Sequence, residues 1–246
     1  MPKPTLIFAP GAWYPSTAFD PIFPKLSDYK CRSIAFPSIT KATEVKDLEP
    51  DTQVVRSAVQ EEIDDGQDVI VIAHSWAGLP VNSALDGLSK LEREAAGLKG
   101  GVVKLVFIAA FLPQIGEGLI GAFGGTPPPW YVLDEKTNTF TASDPHALFF
   151  HDVPDGADWA KLLRPHACAT KTAPATGTAY MNIPTAFLLC EEDRAIPVAV
   201  QQVLVDRARR RGAEIETEKI QTGHTPWLVV PDQVVDYLKK HAGESA

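Results

Sequence analysis

Three stretches of this chain carry residue types that do chemistry together. The first is Asp68-Val69-Ile70-Val71-Ile72-Ala73-His74-Ser75-Trp76-Ala77-Gly78, an apolar run that stops at a serine among small residues. The second places Glu191, Glu192 and Asp193 directly after the apolar run Thr185 to Cys190, and the third is Gly223-His224-Thr225-Pro226. A serine hydroxyl becomes a nucleophile when a base takes its proton, and the base works best when a buried anion orients it and stabilises its cation. Ser75, Asp193 and His224 supply those three groups in that chain order. The chemistry they suggest is nucleophilic acyl transfer.

Such chemistry needs elements that bring three distant residues to one place. Val69 to Ala73 are continuously apolar and mostly β-branched, which predicts a strand buried on both faces of a parallel sheet. A sharp turn must follow, with Ser75 at its apex and small residues, Ala73 and Ala77, where larger ones would collide; alanine replaces both glycines of a Gly-x-Ser-x-Gly elbow. Thr5 to Ala9, Arg32 to Phe36, Val102 to Ala110, Thr185 to Cys190 and Glu214 to Ile220 read as further strands, the last near a sheet edge. Helices are expected over Ser16 to Leu26, from an Asp51 N-cap to Gly66, over Ala77 to Asp86 and Leu88 to Leu98, from Pro197 to Arg211, and from about Pro231 to His241. Alternation at this rhythm predicts an α/β fold with a mostly parallel, doubly wound sheet. Ligands bind at the carboxyl ends of such strands, where Ser75, Asp193, His224 and the loop Pro10-Gly11-Ala12-Trp13 all fall.

The rhythm fails from residue 112 to residue 183, which is rich in Gly, Pro and interleaved aromatics. Seventy residues without sheet periodicity are too many for a connection. We therefore read a core of residues 1–111 and 184–246 with an inserted cap at 112–183. Trp13, Phe111, Trp130, Tyr131 and Phe149 are candidates to line a substrate pocket. His146, His151 and His166 in the cap match no metal-ligand spacing and read as surface or pocket polar residues, so neither metal nor organic cofactor is expected.

Composition excludes several other functions. The net charge of -8 opposes a nucleic-acid partner. The basic cluster from Arg207 to Arg211 reads as the solvated end of a helix. The three cysteines are too few and too scattered for a disulfide framework. No secretory leader or membrane-length apolar window is evident, which predicts a cytoplasmic protein acting on a small molecule, as a monomer or homodimer.

Taken together, Pro10-Gly11-Ala12, Ala73-His74-Ser75-Trp76-Ala77-Gly78, Cys190-Glu191-Glu192-Asp193 and Gly223-His224-Thr225-Pro226 resemble the α/β-hydrolase fold family. Within it, the chain is similar to the small group containing plant methylesterases, hydroxynitrile lyases and fungal or bacterial esterase-like relatives. The resemblance implies Ser75 as nucleophile, His224 as base and Asp193 as acid, the last chosen over Glu191 and Glu192 because Asp193 and Pro197 match the family's Asp-x-x-x-Pro. It also implies an oxyanion hole from the backbone N–H groups of Ala12 and Trp76. Pro10-Gly11 departs from the family's usual His-Gly, and His74 is expected to be a buried, hydrogen-bonded histidine near the elbow.

The implied reaction is hydrolysis of a carboxylic ester, thioester or lactone of an apolar, aromatic or polyketide-like molecule through an acyl-enzyme. Carbon–carbon cleavage by the same Ser–His pair and ligand reception without turnover are the alternatives. Thr225-Pro226 stands where cyanohydrin-cleaving relatives carry a lysine, and a serine apex disfavours epoxide hydrolysis and dehalogenation.

Overall fold

The computed structural model describes residues 2–244, so Met1, Ser245 and Ala246 of the expected core segments lie outside the described residues. Six parallel strands form the central sheet: β1 (Thr5–Ala9), β2 (Cys31–Ser33), β3 (Asp68–His74), β4 (Gly101–Ile108), β8 (Thr185–Cys190) and β9 (Ile215–Ile220), in the order β2-β1-β3-β4-β8-β9. The strand order reverses between β1 and β3, which opens a crevice at their carboxyl ends. Pro10-Gly11-Ala12 and Ser75 leave the sheet at that crevice.

The interior strands are the apolar runs of the sequence. Val69, Ile70, Val71 and Ile72 of β3 are almost wholly removed from solvent, each contributing about 2 kcal/mol of hydrophobic stabilisation. The charged β9 is an edge strand, as its composition predicts.

Between β4 and β8 the chain leaves the sheet. It forms short helices and a small antiparallel sheet of β5 (Tyr131–Asp134), β6 (Thr139–Ala142) and β7 (His166–Ala167). Its buried aromatics, Phe140, Phe149, Phe150 and Tyr180, belong to the same hydrophobic cluster as the strands of the large sheet.

Several expectations are corrected. Asp51 is not an N-cap: the helix runs Glu49–Asp64 from Leu48, and Asp51 is buried inside it, accepting the Ser38 N–H. Ser16–Leu26 is a 3₁₀ helix, which accommodates Pro21 and Pro24. The Arg207 to Arg211 cluster is not simply solvated. Arg207 forms two 2.7 Å bonds to Glu117 and reaches the Leu112 carbonyl, while Arg211 reaches Gln114, so this helix end ties down the start of the excursion.

The elbow also needs a smaller residue than the sequence motif indicates. A β-carbon on Gly78 would lie 1.9 Å from the Phe111 carbonyl oxygen, backbone that has no room to move because Phe111 N donates to the Ser75 carbonyl at 3.1 Å. Gly78→Ala should therefore cost at least about 2 kcal/mol through overpacking, measured as the loss in urea unfolding free energy. An unchanged midpoint would show that the two segments are not locked together.

Candidate active site

Each site residue sits at the carboxyl end of its strand. Ser75 follows β3 with φ 54, Trp13 lies beyond β1 with φ 72, and Ala109 follows β4 with φ 42. Residues with β-carbons enter this left-handed region at a cost of about 1–3 kcal/mol. Three such residues at adjacent strand ends mark the place where the backbone is held against its own preference.

The helix Gly78–Ala84 begins immediately behind Ser75. The serine is 8% exposed. Gly11 closes the opposite wall, where a β-carbon would come 2.7 Å from His74 Nδ1 and 3.0 Å from Ser75 Cβ. Among the described residues, neither the Ala12 nor the Trp76 N–H is taken up by the chain's own hydrogen bonds. Two unspent donors thus flank Ser75.

His224 and Asp193 are brought together and buried. His224 Nδ1 donates to Asp193 Oδ2 at 2.7 Å. A carboxylate only accepts, so Nδ1 carries the proton and Nε2 is left with its lone pair. The carboxylate is held by further donors: the N–H groups of Ala195 (2.8 Å) and Ile196 (2.9 Å) on Oδ1, and Gln201 Nε2 (3.2 Å) on Oδ2. Glu192 is exposed and Glu191 pairs with Lys219, so neither competes for the histidine. Gln201, buried in the helix Val198–Arg210, also bonds both backbone groups of Cys190 and was not singled out in the sequence. Nothing in its local pattern marks it, because its partners lie on another element.

His74 is fully buried, as expected, and its Nε2 donates to the His224 carbonyl at 3.0 Å. Burial pushes its pKa well below the usual imidazole value, with His224 adding to the effect. It is a neutral spacer that positions the His224 backbone. The segment between β4 and β8 holds the same loop from the other side: Thr225 Oγ1 donates to the Phe149 carbonyl, Gly223 N donates to Asp152, and the Phe149 ring lies 5.5 Å from the His224 ring.

The proposed pocket aromatics form two groups. Trp13, Trp130, Tyr131 and Phe149 pack on one another with centroids 4.5–5.9 Å apart. Phe111 lies apart from them, against Phe123 at 5.2 Å. Trp130 and Tyr131 keep partial exposure, whereas Trp13, Phe149 and Phe111 are buried.

One of the three cap histidines departs from expectation. His146 is exposed and His151 half-buried, but His166 is fully buried. It accepts a bond from Lys171, an equally buried lysine, at Nδ1, and its Nε2 bonds Ser38 Oγ at 2.8 Å. Ser38 N in turn donates to Asp51 at 3.0 Å. Burial holds the Lys171 amine well below its usual range, partly opposed by the charge of Asp51. Neither Lys171 nor Asp51 was legible as part of a site.

The Alpha/beta hydrolase family matches residues 6–237. The chain belongs to that family. The hydrolase is 29% identical over 252 residues to "Alpha/beta hydrolase nvfD" of Aspergillus novofumigatus, covering 100% of this chain and 99% of the relative. It is 23% identical to "Methylesterase 1" of Arabidopsis thaliana, over 79% of this chain and 74% of that one. Among solved structures, a pyrethroid hydrolase from Sphingobium faniae superposes with a TM-score of 0.74 at 16% identity, covering 98% and 97% of the two chains. That likeness establishes the fold. No helix among the described residues is long and apolar enough to cross a membrane.

The buried carboxyl of Asp51 gives this hydrolase a measurable pH signature. Burial, partly opposed by the Ser38 hydrogen bonds and by Lys171, lifts it from 3.8 to about 6. A raised carboxyl pKa favours the protonated form in the folded state, so its contribution is full below about pH 4 and is lost as pH rises through about 6. The stability of the wild type minus that of Asp51→Asn should fall by about 2 kcal/mol between pH 4.5 and 7.5, by urea unfolding. A difference independent of pH would contradict a buried, raised Asp51.

Proposed function

We propose that this hydrolase cleaves carboxylic esters of apolar, aromatic or polyketide-like small molecules through a Ser75–His224–Asp193 triad, with residues 112–183 acting as the cap over the site. The observation that carries the reading is the buried Asp193–His224 pair, which fixes the imidazole with a free Nε2 at the same strand ends as Ser75 and two unspent N–H donors. Several similar proteins are named for ester cleavage, among them a methylesterase and a polyneuridine aldehyde esterase. Those names support the ester class without fixing the substrate.

In the proposed sequence Ser75 Oγ loses its proton to His224 Nε2 and bonds to the ester carbonyl carbon. The carbonyl oxygen, now anionic, accepts hydrogen bonds from the Ala12 and Trp76 N–H groups, and preorganised donors of this kind stabilise the transition state more than the substrate. The imidazolium, stabilised by Asp193, returns its proton to the leaving alcohol as the carbon–oxygen bond breaks. Water then repeats the cycle on the acyl-enzyme, giving its proton to His224 and releasing the acid. The half-exposed Trp130 and Tyr131 offer apolar ring surface to the substrate.

The test is turnover of a panel of aryl and alkyl esters, short to medium in the acyl chain. Ser75→Ala should lose about 10³-fold or more in kcat, and Asp193→Asn about 10²–10⁴-fold with little change in KM. Trp130→Ala should raise KM for aromatic esters more than for alkyl ones. Equal rates for wild type and Ser75→Ala would remove the serine from the mechanism. An inert wild type that a ligand nevertheless stabilises strongly would favour reception instead.

A further inference from the structure

Lys171 plays no part in the ester mechanism proposed above. A lysine with no exposed surface is unusual in any fold, since desolvating its charge costs several kcal/mol unless something is gained. Its surroundings are specific. The amine lies 4.7 Å from the centre of the Trp13 ring and 5.4 Å from that of Trp76. These indoles belong to Trp76, whose own N–H is one proposed oxyanion donor, and to the residue directly after Ala12, which supplies the other.

Trp13 itself needs support. Its backbone occupies the left-handed region, φ 72, where an aromatic residue stays only if its surroundings hold it. Its indole N–H donates to the Phe140 carbonyl at 2.7 Å, and its backbone carbonyl accepts from Arg164 N at 2.9 Å. One ring face stacks with Phe149 at 5.6 Å, and the Lys171 amine also stands over the ring. All four partners come from residues 112–183, and none from the large sheet. Trp13 is therefore braced by residues 112–183, while Gly11 and Tyr14 of the same loop pack on His74 of the core.

Lys171 is in turn aimed. Its amine bonds His166 Nδ1, and His166 Nε2 bonds Ser38 Oγ at 2.8 Å, so the ring is held at both nitrogens. The His166 ring also stands edge-on to Trp76 at 4.5 Å. Ser38 is anchored by its own N–H to Asp51 in the core helix. The line of contacts begins in the core, crosses the cap through His166 and Lys171, and returns to the core at both oxyanion segments.

We propose that Lys171 is a positioning residue for the oxyanion hole: lodged between the Trp13 and Trp76 indoles and oriented by His166, its amine holds the Ala12 and Trp76 donors at their working separation, so that the hole is complete only when the cap is seated. The proposal rests on the ester-hydrolase reading for the role of those donors, and on the contacts alone for the clamp.

The deciding variant is Lys171→Met in the full chain, compared with wild type by ester kinetics, by affinity for a trifluoromethyl ketone that forms an oxyanion on Ser75, and by amide exchange of residues 10–16. Methionine keeps the volume and removes the amine, and His166 Nδ1 is left without its buried partner, at a cost in stability. A modestly lowered melting temperature is therefore expected whichever role the lysine has, and the kinetic and exchange readouts decide. Alongside it, kcat should fall 10- to 100-fold with KM within twofold, ketone affinity should fall by a similar factor, and amides near Ala12 should exchange at least tenfold faster. A space-filling role would leave kcat, ketone affinity and exchange near Ala12 unmoved even where the melting temperature falls, and that result overturns the proposal.

Failure of the underlying reading looks different. An active wild type with unchanged exchange and kcat in the variant removes the clamp and keeps the ester chemistry. An inert wild type with accelerated exchange in the variant removes the ester role and the oxyanion hole with it, leaving only a cap-to-loop brace. Should Lys171→Met fail to fold, His166→Gln, which retains an acceptor for Lys171 and a donor for Ser38, should show the same pattern at smaller amplitude; an unaltered His166→Gln would count against the proposal.

Discussion

The constraint on which this structure depends is the left-handed backbone at Ser75. A serine at φ 54 does not stay there through its own preference, and the conformation stores a cost of about 1–3 kcal/mol. It is held because the Ser75 carbonyl accepts the Phe111 N–H at 3.1 Å, and because Gly78 lets the Phe111 backbone close in behind it. Gly11 closes the front wall with no side chain between the first loop and His74. β1, β3 and the segment after β4 thus converge on one residue. The parallel sheet is the frame that makes three strand ends meet, and the absence of β-carbons at two positions decides how closely they meet.

The second requirement is electrostatic: in the proposed mechanism the His224 imidazole alternates between neutral and cationic forms, which needs a neighbour that favours the cation without taking its proton. Asp193 meets this through the bonds it already accepts from Ala195, Ile196 and Gln201, which hold the carboxylate oriented. His74 meets the opposite need. It lies 4.5 Å from the His224 ring, and a second cation there would oppose protonation of His224; burial keeps it neutral while its Nε2 proton secures the His224 carbonyl. Two histidines of similar intrinsic chemistry are separated in role by burial and by which atom faces which partner.

Much of this frame was legible in the sequence because its signals are local. β-Branched runs mark the interior strands, small residues mark the elbow, and the order of serine, carboxylate and histidine at strand ends brings the three together without knowledge of the packing. What was not legible depends on contacts between distant segments. Asp51 has the residue type of an N-cap, and only its neighbour Ser38, thirteen residues earlier, shows that its carboxylate turns inward. His166 was taken for a surface or pocket group because no local pattern reveals that Ser38, 128 residues away, is its partner. Arg207 looked solvated until Glu117, 90 residues away, was found to chelate it. Each is a polar residue whose burial is decided by tertiary pairing, which residue type and periodicity do not encode.

The aromatic residues of the cap show where composition and geometry diverge. A count of Trp, Tyr and Phe between β4 and β8 suggests a broad apolar lining, yet Phe149 is buried and stacked on the equally buried Trp13. Only the outer members of the group, Trp130 and Tyr131, retain surface for a ligand. Phe149 stacks on Trp13 while lying over His224, so one ring borders both the first loop and the base. A substitution there that reshapes the pocket also alters the support of the loop and of the histidine. Under the proposed ester chemistry, a change of substrate falls first on the partly exposed Trp130 and Tyr131, because Phe149 beneath them supports both Trp13 and His224.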